Sequence, residues 1–175
     1  MFKKLLVASA VLAATSTMAC AAGAPYLGAG LGLVNTTSGY SNFRGIPLTV
    51  FGGYGAIVNQ NIYLAGELFA NLGTSVLNSN TTFGVPSLRT TYGYGLSFIP
   101  GLMLSEHSMV FGRVGVVKTR FGSTNNTRTG GQIGMGLQTS LTQNWDIRGE
   151  YDYTKYRNFS AKSDAFNLGL VYKFE

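Results

Sequence analysis

The chain has 175 residues, of which 45% are hydrophobic and only 11% carry a charge. That length suits one domain, and so little charge favours either a large buried core or a membrane environment. Thirteen basic residues against seven acidic ones give a net charge of +6. The basic residues are scattered, with no basic helix and no alternation with aromatic residues, so we expect no nucleic-acid partner.

The N-terminal residues have the pattern of a secretory signal peptide. Two lysines precede an apolar run over residues 5–14, and small residues surround Ala21. The run is too short to span a bilayer as a helix. We therefore expect a cleaved signal peptide over residues 1–21 and one mature domain over residues 22–175. The mature chain would keep 11 basic and 7 acidic residues, a net charge of +4.

Cys20 lies beside the expected cleavage site, where it could be the lipidated first residue of a lipoprotein. Thr17 stands where such proteins usually have a leucine, so we favour the ordinary signal peptide. Cleavage after Ala21 then leaves the mature chain without a cysteine. That composition suits an oxidising periplasm, which penalises stray thiols.

Stretches of about ten alternating apolar and polar or small residues recur along the mature chain, and none shows a sustained helical period. Successive side chains of a strand point to opposite faces, so each stretch has one apolar face. We predict eight strands: Pro25–Val34, Ile46–Ile57, Ile62–Leu72, Arg89–Leu104, Ser108–Lys118, Gly131–Leu141, Trp145–Tyr156 and Ala165–Phe174.

Short polar turns and long polar loops alternate between these strands. The predicted turns are 58–61, 105–107 and 142–144, and the predicted long loops are 35–45, 73–88, 119–130 and 157–164. Pro100 and Gly101 predict a local break in the fourth strand. Every backbone group in lipid must be paired, so the last strand must close onto the first. The sequence therefore predicts an all-β fold, an eight-stranded antiparallel up-and-down transmembrane β-barrel.

The last strand ends on alternate aromatic residues, and its signature positions are Asn167, Gly169, Tyr172 and Phe174. With the segments FGRVG (111–115) and NWDIRGEYDY (144–153), it resembles the small eight-stranded barrels typified by the OmpA transmembrane domain, OmpX and the opacity proteins. The resemblance implies a Gram-negative outer membrane, with periplasmic chaperones and the barrel assembly machinery as partners during biogenesis. Glu175 departs from the family pattern, in which the aromatic residue usually ends the chain.

Charges of both signs fall at inward positions of the predicted barrel. Eight strands enclose an interior that side chains just fill, and an isolated buried charge is costly. We therefore predict a central network of Glu67, Arg113 and Glu150, joined by Arg148. A salt-bridged plug is favoured over catalytic carboxylates, and the many inward glycines argue against a wide pore. A narrow ion-conducting path stays an alternative.

Basic residues gather in or beside the predicted long loops, where acids are few: Arg44, Arg89, Lys118, Arg120, Arg128, Lys155, Arg157 and Lys162. Anionic phosphates of the outer leaflet would attract such a ring. We predict contact with outer-membrane lipids and lipopolysaccharide, and keep adhesion to a polyanion or a host surface as a second hypothesis. Aromatic residues supply the interface girdles, with Trp145 and Phe174 expected at the periplasmic edge and Tyr92 and Tyr153 at the outer one.

His107, the single histidine, falls in a predicted periplasmic turn next to Ser108. Some outer-membrane barrels are lipid A enzymes, but that chemistry needs a histidine near the external rim. No metal-ligand spacing is present, and no cofactor is predicted. We expect a non-enzymatic surface or structural protein, with lipid A modification as the alternative. A soluble, lipocalin-like barrel is the rival fold.

Replacing Phe174 with alanine should sharply lower insertion into the outer membrane, because it removes the terminal aromatic residue of the predicted assembly signal. Deleting Glu175 should have little effect. The measurement is the amount of heat-modifiable protein in the outer-membrane fraction, and normal insertion of the Phe174→Ala protein would refute the signal assignment.

Overall fold

The computed structural model describes residues 23–38, 41–81, 90–121, 127–157 and 161–174. They form eight strands: β1 (Gly23–Ser38), β2 (Ser41–Asn59), β3 (Ile62–Thr81), β4 (Thr90–Ser105), β5 (Ser108–Phe121), β6 (Thr127–Ser140), β7 (Trp145–Tyr156) and β8 (Ala161–Lys173). No helix among the described residues is long and apolar enough to cross a bilayer.

The strands pair with their neighbours in chain order and close into a barrel. All eight pairings are antiparallel, including the closing pair of β1 and β8, which runs from Tyr26–Lys173 to Ser38–Ala161. Closure pairs every strand on both edges, as a sheet in lipid requires. The predicted fold class is therefore confirmed, and the last strand does meet the first.

Three short connections lie at one end of the barrel, which we name the turn end: Gln60–Asn61, Glu106–His107 and Leu141–Asn144. The opposite end, where β1, β3, β5 and β7 finish, is named the loop end. The predicted turns overlap these connections, but β2 continues through Val58 and Asn59, and Ser105 belongs to β4. The sixth strand ends at Ser140, one residue before its predicted end at Leu141.

The loop-end boundaries of several strands were predicted wrongly, because segments rich in Asn, Thr, Ser and Gly there continue the sheet. β1 runs on to Ser38, and β2 already begins at Ser41, so most of the predicted loop 35–45 is a paired hairpin. β3 extends to Thr81 opposite β2, well into the predicted loop 73–88. The predicted loops 119–130 and 157–164 are likewise shortened by β5, β6 and β8. Backbone pairing across strands overrides these polar side chains, which favour loops.

The predicted break at Pro100 and Gly101 is also wrong. β4 runs through both residues, and they pair with Leu64 and Tyr63 on β3. On its other edge, β4 pairs with β5 in the same register before and after this point, although Ile99 and Pro100 themselves have no partner on β5. Proline lacks a backbone N–H, so it can omit a ladder hydrogen bond without ending the strand.

The two faces of the barrel differ in chemistry as the alternation predicts. Large apolar side chains cover the outer face, among them Leu31, Leu68, Phe98, Val116, Leu137 and Leu170, and each is about half exposed. The buried residues point inward and include both apolar and charged side chains. A soluble lipocalin-like barrel would show the reverse arrangement, with its apolar face inside. The outer face is therefore built to contact lipid.

Glycines allow the closing strands to approach each other. Gly30 on β1 lies opposite Gly169 on β8, and both face the barrel axis. A Cβ atom added at Gly30 would lie 2.8 Å from the Leu168 carbonyl oxygen and 3.0 Å from the Gly169 Cα. Both neighbours are backbone atoms, which cannot rotate away.

Gly30→Ala should therefore destabilise the closed barrel by about 1–3 kcal/mol, the usual cost of overpacking. The matched control is Gly66→Ala, where an added Cβ would meet no atom within 4 Å. The measurement is the folded, heat-modifiable fraction after refolding into detergent across a urea series. Equal stability of the two variants would contradict the close approach at the β1–β8 seam.

Candidate functional site

Arg113 lies at the centre of a cluster of charged side chains inside the barrel. Its Nη2 atom donates to Glu67 Oε1 at 2.6 Å and to Glu150 Oε2 at 3.0 Å. Its Nη1 atom donates to Ser97 Oγ at 3.0 Å, and its Nε atom lies 3.6 Å from Asp152 Oδ1. One buried guanidinium therefore connects β3, β4, β5 and β7.

Glu67 links this guanidinium to a second buried arginine. Its Oε2 atom accepts hydrogen bonds from Arg148 Nη1 at 2.6 Å and from the Tyr26 hydroxyl at 2.9 Å. The Arg148 guanidinium lies 4.8 Å from the ring centre of Phe51 and 5.0 Å from that of Phe111. A cation over an aromatic face is stabilised by the ring quadrupole. Both oxygens of the fully buried Glu67 therefore face positive charge.

Further polar side chains extend the cluster in both directions along the barrel axis. Towards the turn end, Gln138 accepts from Arg148 Nε at 2.9 Å and donates to Asp146 Oδ2 at 2.6 Å. Asp146 also pairs with Lys173 at 2.9 Å. Towards the loop end, Asn167 Nδ2 donates to Asp152 Oδ2 at 3.0 Å. The charged interior is a chain of contacts rather than a set of isolated pairs.

An apolar layer lies beneath the ions on the side of the turn end. It is the buried cluster of Tyr26, Ala65, Ile99, Met109, Phe111 and Val171. Its members Ala65, Ile99 and Phe111 lie on the same strands as Glu67, Ser97 and Arg113, respectively. Each is the next inward-facing residue in the direction of the turn end. This low-dielectric layer strengthens the ion pairs above it and raises the cost of leaving any one of them unpaired.

The structure brings together the four residues predicted for the interior network, Glu67, Arg113, Arg148 and Glu150. Tyr26, Asp152 and Gln138 also join the cluster, and none of the three is among the residues predicted for it. Inward alternation was the available signal for these residues, but the contacts depend on stagger between strands that are distant in sequence.

Two cavities lie on opposite sides of these layers. The loop-end cavity measures about 70 Å³ and the turn-end cavity about 210 Å³. Glu67, Arg113 and Glu150 line the first, whereas Tyr26, Gln138 and Asp146 line the second. No residue lines both. In the structure, the ion cluster and the apolar layer separate the two spaces. Glu67, Glu150 and Asp152 contact guanidinium groups, whereas Asp146 is paired with Lys173.

Five of the predicted basic residues point outward near the loop end: Arg44, Lys118, Arg120, Lys155 and Lys162. We name them the outer basic belt. Arg120 Nη1 donates to the Tyr92 hydroxyl at 3.1 Å, and its guanidinium lies over that ring at 5.7 Å. Aromatic and basic side chains thus share this rim of the barrel.

The other predicted basic residues lie elsewhere. Arg128 on β6 faces the barrel axis opposite the buried Thr119. Arg157 is exposed directly after β7. Arg89 lies outside the described residues, as do the predicted signal peptide with Cys20 and the final residue Glu175.

The turn end carries aromatic residues on its outer face. The Trp145 and Tyr172 rings meet edge to face with centroids 5.1 Å apart, and Tyr172 meets Phe174 in the same way at 4.9 Å. The Phe174 backbone N–H donates to the Pro25 carbonyl at 3.0 Å, which fixes the end of the chain against β1. Asn167 and Gly169, the other positions of the predicted assembly signal, face inward on β8.

His107 lies in the exposed turn between β4 and β5, and its backbone N–H contacts Ser105 Oγ at 3.3 Å. The histidine is therefore at the turn end, with no position at the loop-end rim. Within the described ranges, no group of three or more His, Cys, Asp or Glu side chains could hold a metal ion.

A closed antiparallel barrel with an apolar outer face and paired charges inside defines a transmembrane β-barrel protein. The sequence matches the family described as "Outer membrane protein beta-barrel domain" over residues 5–174, and the chain belongs to that family. The protein therefore resides in a Gram-negative outer membrane. In barrels of this class, short turns face the periplasm and the opposite end faces outward, so the outer basic belt lies on the external side.

Solved structures with a similar fold include Ail, the attachment invasion locus protein of Yersinia pestis. The TM-score is 0.58 at 21% identity, and the match covers 87% of this chain and 99% of Ail. Ail in complex with the heparin analogue sucrose octasulfate gives a TM-score of 0.58 at 20% identity, with the same coverage. Neisserial surface protein A gives 0.57 at 16% identity, covering 86% of this chain and 97% of that one. At these identities the likeness shows the fold alone. No curated protein matches the sequence.

Glu67→Gln should destabilise the barrel by about 3–5 kcal/mol, because it leaves two buried guanidinium groups without a carboxylate between them. The matched control is Asp146→Asn, whose partner Lys173 is 33% exposed and can turn towards water. We expect the control to cost about 1 kcal/mol or less. Urea unfolding followed by the fluorescence of Trp145, the single tryptophan, measures both. Equal losses would contradict the central position of Glu67.

Proposed function

We propose that this protein has a structural and surface-interaction role in the outer membrane, in which the outer basic belt contacts the phosphates of lipopolysaccharide. The observation that supports it is the segregation of charge on the outer face. Five basic side chains point outward near the loop end, above rows of leucine, phenylalanine and valine. Basic side chains close to an anionic surface are attracted to it within about a Debye length, on the order of 10 Å.

The interior favours a structural role over transport. A solute would have to displace both the ion cluster around Arg113 and the apolar layer beneath it. Breaking the Glu67 contacts would leave buried charges unpaired. Removing one partner of a buried ion pair destabilises a protein by about 3–5 kcal/mol. This arrangement supports a stable plug that holds the strands together, in preference to an ion-conducting path.

The proposed role is not enzymatic. Acyl transfer or hydrolysis at lipid A needs a nucleophile and a base close together near the external headgroups. His107 lies at the opposite end of the barrel, and the buried carboxylates Glu67, Asp146 and Asp152 are paired with arginine or lysine side chains. These positions support a binding role rather than lipid A modification.

A second candidate is the binding of an external polyanion, such as a sulfated polysaccharide on a host surface. It is favoured by the basic belt and by the existence of an Ail structure in complex with a heparin analogue. The two candidates need different geometry. Lipid phosphates approach the belt from the side, whereas a soluble polyanion approaches from the loop end.

Replacing all five belt residues with glutamine should abolish most of the stabilisation that lipopolysaccharide gives to the purified barrel. The measurement is the temperature at which the heat-modifiable band is lost, with and without lipopolysaccharide. The control, Gln60→Lys with Asn61→Lys, adds positive charge at the turn end and should leave the stabilisation unchanged. A belt variant that responds as the wild type does would contradict lipopolysaccharide contact. Retention on immobilised heparin, measured in parallel, tests the second candidate.

A further inference from the structure

We propose that Lys155 and Lys162 together form a binding site for one phosphate group of an outer-leaflet lipid A molecule. The inference rests on the proposed contact with lipopolysaccharide, and it adds a position and a pair of residues that act as a unit. The ligand class is a phosphorylated lipid headgroup whose acyl chains lie against the outer face of the barrel.

The two lysines are directly opposite residues of neighbouring strands. Lys155 on β7 pairs in register with Lys162 on β8, and both side chains are exposed on the outer face. Like charges at opposite positions of an antiparallel pair are destabilising. A dianionic phosphate with three acceptor oxygens would convert this repulsion into two charge-assisted contacts.

No carboxylate in the described part of the structure forms an ion pair with either lysine. None of the ion pairs there involves Lys155 or Lys162. Asp164 is two residues from Lys162 on the same face, but it accepts a hydrogen bond from the Tyr151 hydroxyl at 2.6 Å. The acid nearest in sequence is therefore oriented towards a tyrosine hydroxyl and forms no ion pair with Lys162.

The height of the pair matches the outer headgroups. Trp145 and Tyr172 form the register pair ten steps earlier on the same two strands, at the turn end. Ten steps correspond to about 33 Å along a strand, or about 25 Å of membrane thickness at the tilt usual in these barrels. An outer-membrane barrel has an apolar band about 25 Å tall. If the aromatic pair marks the periplasmic interface, the lysine pair lies at the opposite one.

The outward pairs between these two levels suit acyl chains. In order from the turn end they are Ile147–Leu170, Gly149–Leu168, Tyr151–Phe166 and Tyr153–Asp164. The first three are free of charge, and the fourth begins the polar zone. A lipid with its phosphate on the two lysines could therefore lay its chains along an apolar surface.

The surroundings of the pair offer donors and space. Lys162 lies opposite Thr37 on β1, and Thr37 lies opposite Asn42 on β2, so two exposed neutral donors continue the same row. On the other side, Lys155 lies opposite Gly131, where an added Cβ would meet no atom within 4 Å. A headgroup can therefore approach the lysines from the β6 side.

The test is a double-mutant cycle on the purified, refolded full barrel, with bisphosphorylated lipid A as the probe and native mass spectrometry as the binding measurement. Lys155→Gln, Lys162→Gln and their combination are compared with the wild type. We expect either single change to remove most of the binding and the double change to add little, with a total loss of roughly thirtyfold. Fully dephosphorylated lipid A should bind all four proteins equally.

A second cycle pairs Lys155→Gln with Lys118→Gln as the matched control, because Lys118 on β5 is not opposite Lys155. These two losses should be additive, as they are for residues that share no partner. In the absence of lipid A, the Lys155→Gln/Lys162→Gln barrel should be at least as stable to heat as the wild type. That result separates a lost ligand from a damaged fold.

Several results would overturn the proposal. Additive losses at Lys155 and Lys162 would mean two independent surface charges, and lipopolysaccharide contact by the belt would still stand. Binding of inorganic phosphate alone, to the extent found for lipid A in the same measurement, would mean a general anion site instead of a lipid site. Failure of wild-type protein to bind either lipopolysaccharide or lipid A would remove the proposed function as well.

Discussion

The need to pair every backbone N–H and C=O group in a medium without water determines the rest of this structure. An open sheet would leave two edges of polar groups in lipid, so β8 must meet β1. Closure with eight strands fixes a narrow interior, most of which side chains fill. The charges at the centre of this interior are buried and must satisfy one another, as Arg113 does with carboxylates from two other strands. The outer chemistry follows separately, because only that face contacts lipid.

The interior network and the external rim are therefore different kinds of polar feature. The ions around Arg113 are paired within the chain, and their partners come from strands far apart in sequence, such as Glu67 and Arg148. They fix the register of the strands relative to one another. Because their charges are already paired, little charge is available to bind a ligand. Lys155 and Lys162 have no carboxylate partner among the described residues. A charged side chain without a partner inside the protein is therefore the better indication of a site for an external ligand.

Much of the fold could be predicted from the sequence, because a period of two is a strong signal when one face meets lipid. The eight strands, their order and their inward faces followed from it, and β7 has the predicted limits, Trp145 to Tyr156. The strand ends near the external loops did not follow, since Asn, Thr and Ser side chains there suit both loops and solvated strands. Pro100 was misleading for a related reason: a single missing N–H matters less than the pairing of the residues around it. Contacts such as Arg148 with Gln138 depend on strand stagger, which the alternation of one strand does not contain.

The unequal lengths of the strands have a consequence for how the protein meets its surroundings. β3 pairs with β4 only as far as Asn71, after which Gly73 adopts a positive φ of 138° and the strand continues beside β2 to Thr81. A register shift at this point marks a bulge, which bends a strand and increases its twist. About ten residues suffice to cross the membrane, and β3 has 20. The loop-end parts of β2 and β3, with β1 paired on the other edge of β2, therefore continue the sheet past the lipid. Because its backbone is paired, this extension holds its side chains in fixed positions outside the membrane.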